Sequence, residues 1–230
     1  MKSVSILKSI LAISAILVLL ICFLYPTFSW PTGLEAVECL LSFAILLISI
    51  FLIGRFRTQL YKQREQRNIT VGLYIGFLWT IEICINNIIH PGLPLRDIID
   101  NIFWALIACL ILYLSIRDSF QTKSLFYGIK AGFLSGFSSG AIACLTALIL
   151  ISFGMQLIVK DPLNIKEWSD IKNIIQYPNI AVYFAYQTMA GAIMHLVILG
   201  AIMGVILGII GGIAGKLLSH VKIKVEPMAY

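Results

Sequence analysis

At 230 residues the chain has the length of one soluble domain, but 60% of its residues are hydrophobic and only 12% are charged, with a mean hydropathy of +0.95. Soluble domains carry roughly 25% charged residues, so too little polar surface is present to clothe a globule in water, which excludes a disordered chain, a secreted disulfide scaffold and a free cytosolic enzyme. The net charge of +6 does not point to nucleic acid, because the basic residues flank apolar runs, where membrane topology accounts for them.

The composition predicts an all-α polytopic membrane protein, a single membrane domain over residues 1–230. A bilayer core about 30 Å thick needs roughly 20 apolar residues per helix, and six segments qualify. The first, 6–24, follows Lys2 and Lys8. That pairing also suits a signal peptide, but no small-x-small cleavage site follows it, so a retained helix is expected. The second, 37–53, leads into a basic loop carrying Arg55, Arg57, Lys62, Arg64 and Arg67. This loop either fixes topology or contacts anionic lipid or an acidic partner.

The third span, 71–89, contains Glu82 near its middle. The fourth, 98–116, is flanked by Arg96, Asp97 and Asp100 at one end and Arg117 and Asp118 at the other, read as local helix-end charges. The fifth and sixth, 125–158 and 180–214, exceed one straight crossing and must tilt, protrude or break. Between them, Asp161-Pro162 looks like a helix start. Ile165, Trp168, Ile171 and Ile175 then share one face, which predicts an amphipathic helix over 162–176 lying on the outer surface, as an anchor or a lid.

Of the 17 Lys and Arg residues, only Arg96, Lys160, Lys166 and Lys172 fall on one side of these spans. The positive-inside rule therefore places both termini in the cytoplasm, in what reads as a prokaryotic cytoplasmic membrane. The five cysteines show no CxxC and no metal-ligand spacing. They are expected to be small apolar residues, with neither a disulfide nor a zinc site.

Two glycine rows stand out. Gly128, Gly132, Gly136 and Gly140 recur every fourth residue in the fifth span, and Gly200, Gly204, Gly208 and Gly212 do so in the sixth. In lipid, helices associate by close backbone approach, which small residues permit. These glycine zippers are expected to pack the two helices against each other or against copies of themselves.

Glu82 carries the functional signal. A charge held among apolar residues at bilayer depth costs at least roughly 2.5–3.5 kcal/mol, so its face must look into protein or water. Glu82, Asn86 and His90 follow i, i+4, i+8 spacing, with Asn87 beside them, making a polar track toward the outer edge. His195 in the sixth span lies at similar depth and could pair with Glu82, and Gln187 sits nearer the outer end. Tyr183 and Tyr186 read as interfacial anchors.

Gly136-Phe-Ser138-Ser-Gly140 matches the G-x-S-x-G nucleophile pattern, which needs a strand–turn–helix context that a membrane helix does not supply. A Ser/His pair within six helices resembles rhomboid-type intramembrane proteases, but those carry G-x-S-G, which this chain lacks. No P-loop, dinucleotide fingerprint, haem motif or metal cluster is present, so no cofactor is expected.

The leading expectation is a small transporter or a membrane subunit of a transport complex, with Glu82, Asn86, Asn87, His90, His195 and Gln187 around a polar site. Size and helix count are similar to the substrate-binding membrane subunits of vitamin importers, as an analogy only. The alternatives are an assembly subunit packed through its glycines, alone as a homo-oligomer or with partner membrane subunits, and an intramembrane hydrolase.

Overall fold

The computed structural model describes residues 2–26, 33–174 and 177–220. Ile175, Lys222 and Lys224 lie outside the described residues, as does the side chain of Arg57. Every regular element among the described residues is helical. In chain order these are α1 (Lys2–Leu24), α2 (Leu34–Arg55), the short α3 (Arg57–Leu60), α4 (Gln63–Cys84) continuing into a π-helical segment (Ile85–Ile89), α5 (Leu95–Thr122) and α6 (Leu125–Phe153). Two short helices follow, α7 (Met155–Lys160) and α8 (Pro162–Ile171). The last long helix comprises α9 (Ile180–Met194), a π-helical segment (His195–Ile202) and α10 (Met203–Leu218). Six of these helical runs are long and apolar enough to cross a membrane.

The helix α6 is the centre of the bundle. It packs against α4 on one side and α10 on another, with α1, α5 and α9 also touching it. Small residues make this possible. Gly72 of α4 rests on Ser135 and Ser138 of α6, and Gly76 rests on Ile142. On the other face the two glycine rows oppose each other. A methyl built on Gly132 would run into the Gly204 carbonyl and lie 2.6 Å from the Gly208 Cα, and one on Gly136 would lie 2.9 Å from the Gly204 Cα. Gly211 and Gly215 then seat α10 on Ser115, Ile116 and Ser119 of α5, and the Ser119 hydroxyl donates to the Gly212 carbonyl at 2.6 Å. Phe23, Phe51, Tyr113 and many other large apolar side chains face outward, a surface suited to lipid rather than water.

Alternating helix directions divide the bundle into a basic end and an acidic end. The basic end gathers Lys2, Lys8, Arg55, Arg64, Arg67, Lys130 and Lys216; the acidic end gathers Glu35, Glu38, Asp97, Asp161, Glu167 and Asp170.

Several boundaries differ from the sequence expectation. The fifth span does not run to residue 158, because Gly154 closes α6 and the chain turns into α7. The sixth remains helical beyond 214, through Leu218, and is loosened midway by its π-helical segment. The third begins at Gln63, eight residues before Val71. Its polar first turns stay helical because their side chains find partners: Glu65 accepts from the Lys130 Nζ at 2.7 Å, and Asn68 donates to Asp118 at 2.8 Å. The amphipathic α8 starts at Pro162, where the Asp161 carboxylate accepts from the Leu163 N–H at 3.0 Å, but ends at Ile171.

A further correction concerns the cysteines. Cys22 and Cys39 form a disulfide, with Cα atoms 6.8 Å apart. They sit 17 residues apart in sequence, so no local spacing motif marks them; the antiparallel packing of α1 on α2 brings them together. Alkylation of the unfolded protein should therefore label three cysteines without reductant and five with it, counted by intact mass. Five labels in both conditions would remove the bridge.

Candidate functional site

The polar site forms where α4 gives way to its π-helical segment. Such one-turn widenings are frequent at functional sites. The segment ends at His90, whose φ of 52° and ψ of 56° place it in the left-handed region, which histidine enters more readily than most residues. The chain then reverses into α5, and Asp100 of α5 comes to face Asn86. The Asn86 amide nitrogen donates to Glu82 Oε1 at 3.1 Å and to Asp100 Oδ1 at 2.9 Å. Glu82 is 7% exposed and Asn86 6%. The Asn86 carbonyl oxygen is buried and has no hydrogen-bond partner among the described residues. Two acidic side chains thus flank one amide, and ionising both would set like charges against each other in a low-dielectric setting.

One turn toward the basic end lies an aromatic layer. Trp79 of α4 meets Trp104 of α5 edge-on, with ring centroids 5.8 Å apart. His195 also meets Trp79 edge-on, at 4.9 Å. Below the tryptophans a groove of ≈ 340 Å³ opens between α4, α5 and α10, lined by Trp79, Asn101, Trp104, Ala108, Leu199 and Met203 among others.

At the acidic end a second cluster pins the loops. Arg96 donates to Asp161 Oδ2 at 2.7 Å, and His90 Nδ1 lies 3.7 Å from the same oxygen. Asp161 is fully buried and caps α8 as well. Nearby, burial and hydrogen bonding to Glu35 push the Tyr177 phenol up to about 12, so it stands as a neutral donor.

Of the residues singled out by sequence, Glu82 and Asn86 come together, joined by Asp100. Asn87 turns away and donates to the Ile83 carbonyl of its own helix at 2.9 Å. His90 belongs to the Arg96–Asp161 cluster. His195 is not joined to Glu82: its Nδ1 donates to the Gly191 carbonyl at 2.8 Å and Trp79 occupies its flank. Gln187 is exposed and donates to Glu167 at 3.1 Å. Tyr186 is no interfacial anchor; it is fully buried, and its hydroxyl donates to the Tyr25 carbonyl at 2.8 Å.

Glu82 keeps the distance from the acidic end that the sequence reading gave it, with Ile89 closing the run in both; the run lengthens at its other end, to Gln63. Glu82 is seven residues from the end of a helical run of 27, or roughly 10 Å at 1.5 Å per residue. Asp100 and Asp118, read as local helix-end charges, both make tertiary contacts. Asp118 is fully buried, where it accepts from Asn68 and pairs with Arg67. The basic loop is correspondingly divided: Arg67 turns inward to Asp118 and Arg64 lies over the Tyr127 ring, while Arg55 and Lys62 remain exposed. Ser138 lies in the uninterrupted α6 facing Gly72, without the sharp turn that a nucleophile elbow requires.

Comparison with protein families, with curated proteins and with solved structures returns no match. The site is therefore read from its own chemistry.

Proposed function

We propose that this chain is a small multi-pass membrane transporter, or the membrane subunit of a transport complex, and that the Glu82–Asn86–Asp100 cluster is its proton- and substrate-handling site. The carrying observation is the sharing of one buried amide by two carboxyl groups inside helices apolar enough to cross a membrane. Ionisable residues in such helices are costly to keep and mark ion or substrate pathways. With one proton on the pair, the cluster carries a single negative charge; release of that proton leaves two, and a cationic solute can take the proton's place. Arg96, His90 and Asp161 lie at the acidic end above the pair, and His195 beyond Trp79, so these groups set the field in which the exchange occurs. The two π-helical segments give α4 and the α9–α10 helix places to flex.

The charge distribution supports cytoplasmic termini and a site near the outer face. The Cys22–Cys39 bridge lies at the same acidic end, and disulfides persist in oxidising compartments such as a periplasm. Exposed Arg55 and Lys62 then rim the cytoplasmic side, where anionic headgroups gather.

The test is an imposed pH gradient across proteoliposomes loaded with a pH-sensitive dye, challenged with a panel of amines, amino acids and sugars. A solute that collapses the gradient through the wild-type protein should do so roughly tenfold more slowly through Glu82→Gln, with the melting temperature unchanged. Equal rates for the two proteins remove Glu82 from the pathway.

A further inference from the structure

We infer that the site takes lipophilic organic cations, whose apolar part lies in the groove between α4, α5 and α10 and whose charge lies at its tryptophan end, about one helical turn from Glu82 and Asp100. This rests on the reading above and names its substrate class.

Three adjoining features support this: the carboxyl cluster, an aromatic layer one turn from it, and a groove that the same tryptophans line. The first is an excess of acceptors. Asn86 directs its amide nitrogen to both carboxyl groups, which leaves its own buried carbonyl oxygen unpartnered among the described residues. The donors nearby are committed elsewhere: Arg96 to Asp161 and His195 to Gly191. Two carboxyl groups and an unmet acceptor, with no uncommitted cation beside them among the described residues, suit a ligand that brings positive charge.

The second is the aromatic layer. Trp79 precedes Glu82 by three residues on α4, and Trp104 follows Asp100 by four on α5, so each tryptophan shares a helix face with a carboxyl group. Indole rings attract cations through their quadrupole, most strongly where water is excluded. Trp79 is buried and Trp104 half-exposed, which makes Trp104 the side chain a ligand meets first.

The third is the groove. At ≈ 340 Å³ it matches the lower range of small-molecule sites, roughly 300–1,000 Å³. Ala105 and Ala108 leave the space, and Leu199, Met203 and Leu207 line it with apolar surface. An amphiphile partitioned in lipid can reach such a groove sideways. A bare metal ion gains nothing from these apolar walls, and among the described residues no group of three or more His, Cys, Asp or Glu side chains is placed to hold one.

The experiment measures binding of ethidium to the purified full chain in lipid nanodiscs by fluorescence anisotropy, with tetraphenylphosphonium as competitor and uncharged phenanthridine as control. Saturable ethidium binding that tetraphenylphosphonium displaces and phenanthridine does not is the expected result. The isosteric variants Glu82→Gln and Asp100→Asn should weaken it roughly 30-fold or more, because each removes a buried charge about one helical turn from the ligand's own. Trp104→Leu, which keeps the apolar volume, should weaken it roughly five- to tenfold. Each variant is first shown to melt as the wild type does; a variant that does not is replaced by Asn101→Leu, which alters the groove alone and should also weaken binding. Binding that is unsaturable, or unchanged in all the folded variants, overturns the assignment, as does displacement by sodium or phenanthridine alone. If no organic cation binds while Glu82-dependent collapse of the pH gradient persists, the substrate class is wrong and the transport reading stands. If both are absent, both fail.

Discussion

Gly132→Ala should destabilise the folded bundle by about 1–3 kcal/mol, lowering its melting temperature by roughly 2–12 °C. The added methyl meets backbone rather than a side chain: the Gly204 carbonyl and the Gly208 Cα, 2.6 Å away. Backbone cannot change rotamer, so α6 and α10 must move apart along their length. That separation would also loosen Gly136 from Gly204 and Gly140 from Gly200, which share the seam. The control is Gly191→Ala in α9, where a methyl meets nothing within 4 Å. There the better helix propensity of alanine, worth up to about 1 kcal/mol, should leave stability equal or slightly higher. Thermal denaturation of both variants in one detergent decides the matter. If the two melt alike, the helices stand further apart than described.

The spacing of those glycines was legible in the sequence, since a four-residue period is one face of a helix. Which surface that face meets was not, because a stripe of small residues is equally suited to the next helix or to a second copy. The six long apolar runs were legible for a similar reason: length and hydropathy are local properties. Their ends were harder. Residues 63–70 are polar and look like loop, yet they are helical because Glu65, Arg67 and Asn68 find partners on α5 and α6. Gly154 interrupts an unbroken apolar run, and an average over such a run hides it. The Cys22–Cys39 bridge depends wholly on how α1 lies against α2.

The candidate site divides along the same line. Glu82 and Asn86 lie one turn apart, and helical periodicity alone joins them. Asp100 is 14 residues beyond Asn86, on another helix, and its position near a span end gave it an ordinary explanation. Its one hint was the i, i+4 relation to Trp104, a polar and an aromatic residue sharing a face of an apolar helix. His195 was grouped with Glu82 because both are polar and lie at similar depth. Depth does not fix azimuth: the His195 ring packs edge-on against Trp79, and its Nδ1 is bonded to the Gly191 carbonyl.

Asp118→Ala should be comparably damaging, at about 3 kcal/mol, the lower bound for removing one partner of a buried ion pair. Asp118 is fully buried on α5, and its two oxygens accept from Asn68 and Arg67 of α4. Its loss leaves the Asn68 amide without its acceptor, on a side chain whose carbonyl oxygen is already unpartnered among the described residues. Arg67 is a different case, because about a third of its side chain reaches solvent and its charge can be partly rehydrated. The larger share of the penalty should therefore arise at Asn68. A double-mutant cycle separates the two. Adding Asn68→Leu to Asp118→Ala should recover more stability than adding Arg67→Met, each compared by melting temperature with its single variants. Asp118→Asn should fall between wild type and alanine, since it keeps one acceptor. If Arg67→Met instead restores most of the loss, the stranded guanidinium dominates and the α4–α5 contact at the basic end is drier than the exposure of Arg67 implies.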